Sequence, residues 1–191
     1  MRIARLAFGC GNAQMAVTRA MRMRAMIFRR MVADDLDAVM AVQLEAYDAG
    51  FIEGRDVLAQ RLAAAPETAW VASDAVGVCG YLVAYPSQRG KVTALGRGFS
   101  VATAPDCLYL HDLAVSARAS GRGVGPELVR LAHAFALSAQ LAWSALVSVQ
   151  DSRAFWKRLG YVEDPPSADE LAKLDAYPGD ARYMARTAVC G

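Results

Sequence analysis

Residues 108–130 read LYLHDLAVSARASGRGVGPELVR, and this stretch limits the possible folds more than any other part of the chain. Leu108 to Val115 is an apolar run of strand composition, Gly121-Arg122-Gly123-Val124-Gly125 is a glycine-rich turn, and Leu128, Leu131, Ala132 and Phe135 then recur at helical spacing. A strand, loop and helix joined in this way present unpaired backbone N–H groups and the positive end of a helix dipole to one region of space. Such a junction favours a bound anion, for example a pyrophosphate. The glycines let the anion approach closely because no Cβ intervenes. Pro126 suits the first helical turn, where a missing N–H costs nothing and a fixed φ is already helical.

Two familiar phosphate-binding loops share this outline, and the residues argue against both. A Walker loop ends G-K-[ST], placing an ammonium on the phosphates and a hydroxyl on magnesium; here the loop ends Gly125-Pro126-Glu127. A dinucleotide fingerprint needs a glycine three residues after Gly123, where Pro126 stands, and a carboxylate at the end of the next strand. The run Ser144 to Val149 has none before Gln150.

The remaining pattern resembles the GNAT family of N-acetyltransferases, whose central motif is a strand ending L-x-V followed by [Q/R]-x-x-G-x-[G/A]. Leu113-Ala114-Val115 and Ser120-Gly121-Arg122-Gly123-Val124-Gly125 carry the likeness, with Ser120 at the usual Arg or Gln position. A second likeness follows the strand Ser144 to Val149. Asp151-Ser152 stands where the family has Asn-Ser, and Phe155-Trp156 through Gly160-Tyr161 matches F-[YW]-x-x-x-G-[FY]. Two spaced motifs in the right order are more specific than one Gly-rich loop.

The resemblance implies an α/β fold: a mixed, mostly antiparallel sheet splayed at its middle, with helices on both faces. It also implies transfer of acetyl from acetyl-CoA to a primary amine of a small molecule, amino acid or peptide N-terminus, by direct attack and without an acyl-enzyme. The cofactor would be held by Leu113, Ala114, Val115, Ser120, Gly121, Arg122, Gly123, Val124, Gly125, Pro126, Asp151, Ser152, Phe155 and Trp156. A noncatalytic acyl-CoA sensor or an interaction domain is the alternative.

The reaction needs a neutral amine, yet an alkyl ammonium has a pKa near 10, so a base must take a proton. His111, four residues before Val115, stands where some members of the family carry a glutamate implicated as base; a hydrogen-bonded core histidine is the other reading. Asp112 is the second catalytic candidate, either structural or a substrate contact. Regular alternation puts Tyr109, His111, Leu113 and Val115 on one face and Leu110, Asp112 and Ala114 on the other, so His111 and Asp112 can share a site only if a bulge intervenes. Trp156 replaces the tyrosine that often protonates the leaving thiolate, a role that water, Tyr109 or Tyr161 could take.

Elsewhere the pattern predicts a strand over Ile27 to Met31, helices from Leu36 to Tyr47 and from Asp56 to Ala64, and a hairpin of Thr68 to Ser73 with Val78 to Tyr85, ended by Pro86. The two helices would border the substrate groove, making Tyr47, Phe51 and Glu53 possible contacts. Residues 87–106 form a long Gly/Ser/Thr/Ala-rich connection, either a lid or partly disordered. Asp169 to Leu174 reads as a short helix and Ala181 to Val189 as a final strand, pairing with the strand after the second motif.

Charge is uneven. Seven of the 21 basic residues lie in residues 1–33, where there is no acid, leaving 14 bases against 19 acids beyond. The domain over 26–191 is therefore acidic, which suits a cationic or neutral amine and disfavours nucleic acid. Residues 1–25 read as a basic extension, either disordered or an upstream start, although an Arg-rich, acid-free segment can imitate a transit peptide. No apolar run reaches membrane-spanning length. Four cysteines without C-x-x-C spacing and two histidines predict reduced thiols in a cytoplasm and no metal site. A monomer and a homodimer are equally compatible with the sequence.

Overall fold

The apolar runs become strands and the amphipathic segments become helices in a computed structural model that describes residues 26–175 and 177–188. The basic extension, Cys10 and Cys190 lie outside the described residues. In chain order the elements are β1 (Ile27–Arg30), α1 (Leu36–Ala46), α2 (Arg55–Ala64), β2 (Ala69–Asp74), β3 (Gly77–Ser87) and β4 (Cys107–Val115). They continue with α3 (Val124–Ser138), β5 (Trp143–Ser148), α4 (Arg153–Arg158), β6 (Val162–Glu163), α5 (Leu171–Asp175) and β7 (Arg182–Thr187).

The strands form a seven-stranded sheet in the order β1-β2-β3-β4-β5-β7-β6, antiparallel everywhere except between β4 and β5. The fold is thus the mixed, mostly antiparallel α/β sheet that the sequence implies. Parallel pairing needs a crossover, and α3 supplies it. This helix buries Val124, Leu128, Val129, Ala132 and Ala136 against Trp70, Leu82, Leu108 and Leu146 on one sheet face. The opposite face carries Val71, Tyr81, Val83 and Ala114 beneath Leu36, Val39 and Val42 of α1 and Leu58 and Leu62 of α2.

Two features of this sheet create the site. First, β4 pairs with β5 only over Cys107 to Leu110; beyond Leu110 the two strands part while β4 stays paired with β3 as far as Val115. Second, β4 carries a bulge. Val83 pairs with Asp112 but Ala84 with Leu110, so His111 is the extra residue. The bulge overturns the regular alternation expected for this strand. Leu108 and Leu110 face α3, but so do Leu113 and Val115, while Tyr109, Asp112 and Ala114 face the other side.

Smaller departures also have physical causes. Pro86 does not end its strand; β3 runs on to Ser87. Ser87 O accepts Asp106 N and Pro86 O accepts Ala102 N, so the Pro86 nitrogen points away from β4, where no ladder bond is lost. Strand β7 pairs with β6 as expected, and also with β5 along Trp143 to Ser148. The connection between β3 and β4 has no regular elements but is tied down at many points. Arg89 pairs with Asp164, Gly90 N donates to Tyr183 Oη at 2.7 Å, Val92 N donates to Glu170 at 3.0 Å and Tyr177 Oη donates to Thr93 O.

Candidate active site

Where β4 and β5 separate, a cavity of about 770 Å³ opens. One end is the Gly-rich turn. Gly121 and Gly123 have φ of 71° and 83°, a left-handed conformation that side chains rarely adopt, and Gly123 is the residue from which α3 starts. Among the described residues the amides of Gly121, Gly123, Val124 and Gly125 have no protein acceptor, while the next, Glu127 N, bonds to Gly123 O. Gly125 is needed for a different reason: a Cβ there would lie 3.3 Å from the Phe155 ring, so the first turn of α3 and the first turn of α4 meet across it. This cradle fits a diphosphate.

The middle of the cavity is the free edge of β4. Ser116 N donates to Cys79 O of β3, and N–H directions alternate along a strand, so the amides of Leu113 and Val115 face the gap. Leu113 O faces the same way and accepts the Tyr47 hydroxyl at 3.0 Å.

At the far end His111, Asp112, Tyr47, Phe51 and Glu53 converge with Leu95 and Tyr177. The bulge brings His111 and Asp112 together here. Both Asp112 oxygens are filled, by Tyr47 Oη and Tyr81 Oη at 2.6 Å each. Burial raises its pKa against the lowering effect of those two hydrogen bonds. The Tyr47 and Tyr81 hydroxyls are pushed up in turn, mainly by burial. His111 has a side chain only 2% exposed, and burial lowers its pKa, so the imidazole is neutral near pH 7. Its Nε2 lies 3.4 Å from Glu53 Oε2, and its Nδ1 is buried without a partner among the described residues.

Glu53 is placed by α1. The buried Gln43 amide donates to Glu53 O at 3.1 Å and accepts Glu53 N at 2.8 Å, fixing the segment between α1 and α2. Its carboxylate receives both Nη atoms of Arg61, a fully buried residue of α2, and Gly96 N at 2.6 Å. Burial opposes the charge, but hydrogen bonds from His111 and Arg61 outweigh it and bring the Glu53 pKa down to about 2.

Of the residues expected at the site, His111, Asp112, Leu113, Val115, Ser120, Gly121, Gly123, Val124, Gly125, Pro126, Ser152, Phe155 and Trp156 line the cavity. Ala114, Arg122 and Asp151 do not. Ala114 packs toward α1 and α2, and the Arg122 guanidinium turns back to Asp74 at 3.1 Å. Asp151 is exposed, in a left-handed turn with φ of 56°. Trp156 both lines the cavity and packs edge-on against Phe155 and Tyr161. Tyr161 is locked between His133 Nε2 at 2.8 Å and Ser144 Oγ at 2.6 Å, and neither it nor Tyr109 reaches the cavity.

Sequence reasoning missed Arg61, Tyr177 and Arg158. Arg61 had a signal, since it sits with Leu58 and Leu62 at the spacing of a buried helical stripe. Arg158, whose side chain joins no ion pair among the described residues, lines the cavity from the end of α4. Tyr177 had no signal, because only the path of the chain after α5 brings it here.

A family model for the acetyltransferase (GNAT) family matches residues 36–161, from the first residue of α1 to Tyr161. The chain belongs to this family. Solved structures agree on the GNAT fold. Ard1 from Thermoplasma volcanium superposes with a TM-score of 0.64 at 18% identity, covering 87% of this chain and 99% of that one. The ribosomal-protein-S18-alanine N-acetyltransferase from Escherichia coli gives 0.62 at 15% identity, covering 87% and 96%. A GNAT-like decarboxylase, GphF, in complex with isobutyryl-CoA gives 0.66 at 16% identity, covering 85% and 100%. A search of curated proteins by sequence finds no significant match. Among the described residues no helix is long and apolar enough to cross a membrane.

Proposed function

We propose that this GNAT protein transfers an acetyl group from acetyl-CoA to a primary amine. The observation that carries the reading is the continuity of one cavity, from unpaired amides at the start of α3, along the free edge of β4, to the buried imidazole of His111. Backbone N–H groups of Gly121, Gly123, Val124 and Gly125 would hold the diphosphate, helped by the helix dipole. Arg158 adds a cation to the cavity wall. The superpositions, with TM-scores of 0.64 and 0.62, support the fold alone, and the activity is our inference from the site.

The chemistry follows from the residues. His111 takes a proton from the substrate ammonium, which frees the nitrogen lone pair for attack on the thioester carbonyl. The amides of Leu113 and Val115 offer donors to the oxygen on which charge develops. Asp112 holds Tyr47 in place by accepting its hydroxyl. Tyr161 and Tyr109 are off the cavity, the Tyr47 and Tyr177 hydroxyls already donate to Asp112 and to Thr93 O, and indole is no useful acid, so the departing thiolate, of pKa about 8.5, takes its proton from water.

Thiol release from acetyl-CoA against a panel of small amines, amino acids and short peptides, with calorimetric cofactor binding in parallel, tests this. Amine-dependent release is expected. Cofactor binding with no release across the panel would favour a sensor, and absence of cofactor binding would remove both readings.

A further inference from the structure

Direct attack asks for a base but assigns nothing to Glu53, the most heavily bonded carboxylate in the cavity. Its two oxygens meet the Arg61 guanidinium, Gly96 N and His111 Nε2. Arg61 cannot retreat, because its Nε and Nη2 also donate to Arg97 O at 3.0 and 2.8 Å. Glu53 is thus fixed in place and ionised. An ionised carboxylate only accepts hydrogen bonds, so the neutral imidazole facing it must carry its proton on Nε2, leaving the lone pair on Nδ1. Among the described residues Nδ1 is the buried ring atom with no protein partner, in a side chain that lines the cavity.

We propose that Glu53 is a positioning residue: it holds His111 as the Nε2–H tautomer, so that Nδ1 is the atom that takes the proton from the acceptor amine, and it stabilises the imidazolium that results. The inference rests on the acetyl-transfer reading and names the base atom within it. The step balances simply. One N–H bond of the ammonium breaks, one N–H bond forms at Nδ1, and the positive charge moves onto a ring already facing an anion. Imidazolium then returns the proton to solvent through the cavity. The charged and titratable groups facing His111 are Glu53 before α2, Arg61 on α2, Asp112 and Tyr109 on β4, and Tyr47 and Tyr177 across the cavity. Among the described residues Glu53 is the one anion in hydrogen-bonding range of the ring.

Two measurements decide. Long-range proton–nitrogen NMR of the wild-type protein reads the His111 tautomer without any substrate or variant, and the Nε2–H form is expected at pH 7. The Nδ1–H form would overturn the proposal even if amine-dependent turnover is observed, leaving acetyl transfer itself standing. The second measurement compares pH–rate profiles of Glu53→Gln and Glu53→Asp. Loss of the anion should lower kcat about 10- to 100-fold and move the acidic limb about one unit toward lower pH, with KM for acetyl-CoA unchanged; Glu53→Asp should recover part of both. An unshifted acidic limb in folded Glu53→Gln would overturn the proposal. Should that variant not fold, the tautomer measurement decides alone; should no amine support turnover, the acetyl-transfer reading fails, and the tautomer still reports whether Glu53 orients His111.

Discussion

His111 is where the residue scale matters most. A bulge residue projects differently from its neighbours, and here it puts an imidazole beside the opening in the sheet. If it is the base, His111→Ala should lower kcat by about 10²-fold or more at neutral pH while the acetyl-CoA Kd stays constant; unchanged turnover would remove it from the mechanism. Gly123 is the counterpart at the other end. Its Cβ would meet open space, so packing does not forbid a side chain there, but φ of 83° and the approach of an anion do. Gly123→Val should weaken cofactor binding about tenfold or more, as calorimetry would show. Full affinity would mean that these amides do not hold the diphosphate.

At the scale of elements, the start of α3 is held by contact with β3 at Gly80. A Cβ there would stand 2.9 Å from Val124 Cγ1 and 3.2 Å from Ala114 O. Gly80→Ala should therefore push the first turn of α3 outward and cost about 1–3 kcal/mol, read as a shift in denaturant midpoint. Adding Val124→Ala should recover part of that loss; no recovery would place the strain elsewhere. The segment between β3 and β4 is a strap fastened from below. Arg61 holds Arg97 O, and Glu53 holds Gly96 N. Arg61→Met leaves Glu53 buried without its counter-charge, so stability should drop by about 3–5 kcal/mol and exchange of the Gly96 amide should speed up. Wild-type exchange at Gly96 would show that the strap is held by other bonds.

For the molecule as a whole, the cost of burying titratable groups sets how stability varies with pH. His133 bonds to Tyr161 between α3 and the end of α4, and burial, with Arg186 nearby, lowers its pKa to about 4. In the unfolded chain it titrates near 6.5. Between these values the unfolded state holds the extra proton, so the stability His133 contributes is complete above about pH 6.5 and is lost as pH falls toward 4. Denaturant midpoints between pH 7 and 4.5 should fall more steeply for the wild type than for His133→Gln; parallel curves would exclude this histidine as the cause.

Local chemistry was enough to reveal much of this. The Gly-rich turn, the helix behind it and the Phe155-Trp156 segment are governed by backbone conformation and short-range periodicity, which neighbouring residues specify, so the anion cradle and the GNAT resemblance were legible in the sequence. The acceptor end was not. Regular alternation separates His111 from Asp112, and only pairing with β3 shows that Ala84 skips to Leu110 and leaves His111 bulged. Arg61 shares a helical stripe with Leu58 and Leu62, but only the docking of α2 shows that Glu53 is its partner. Tyr177 comes from a chain end more than 60 residues from β4. The sequence by itself determined most of the elements and the Gly-rich loop, because those depend on each residue and its near neighbours. The tertiary structure alone decided which charges are buried, which tautomer His111 can hold and which side chains meet, because burial and partner choice belong to contacts between distant segments.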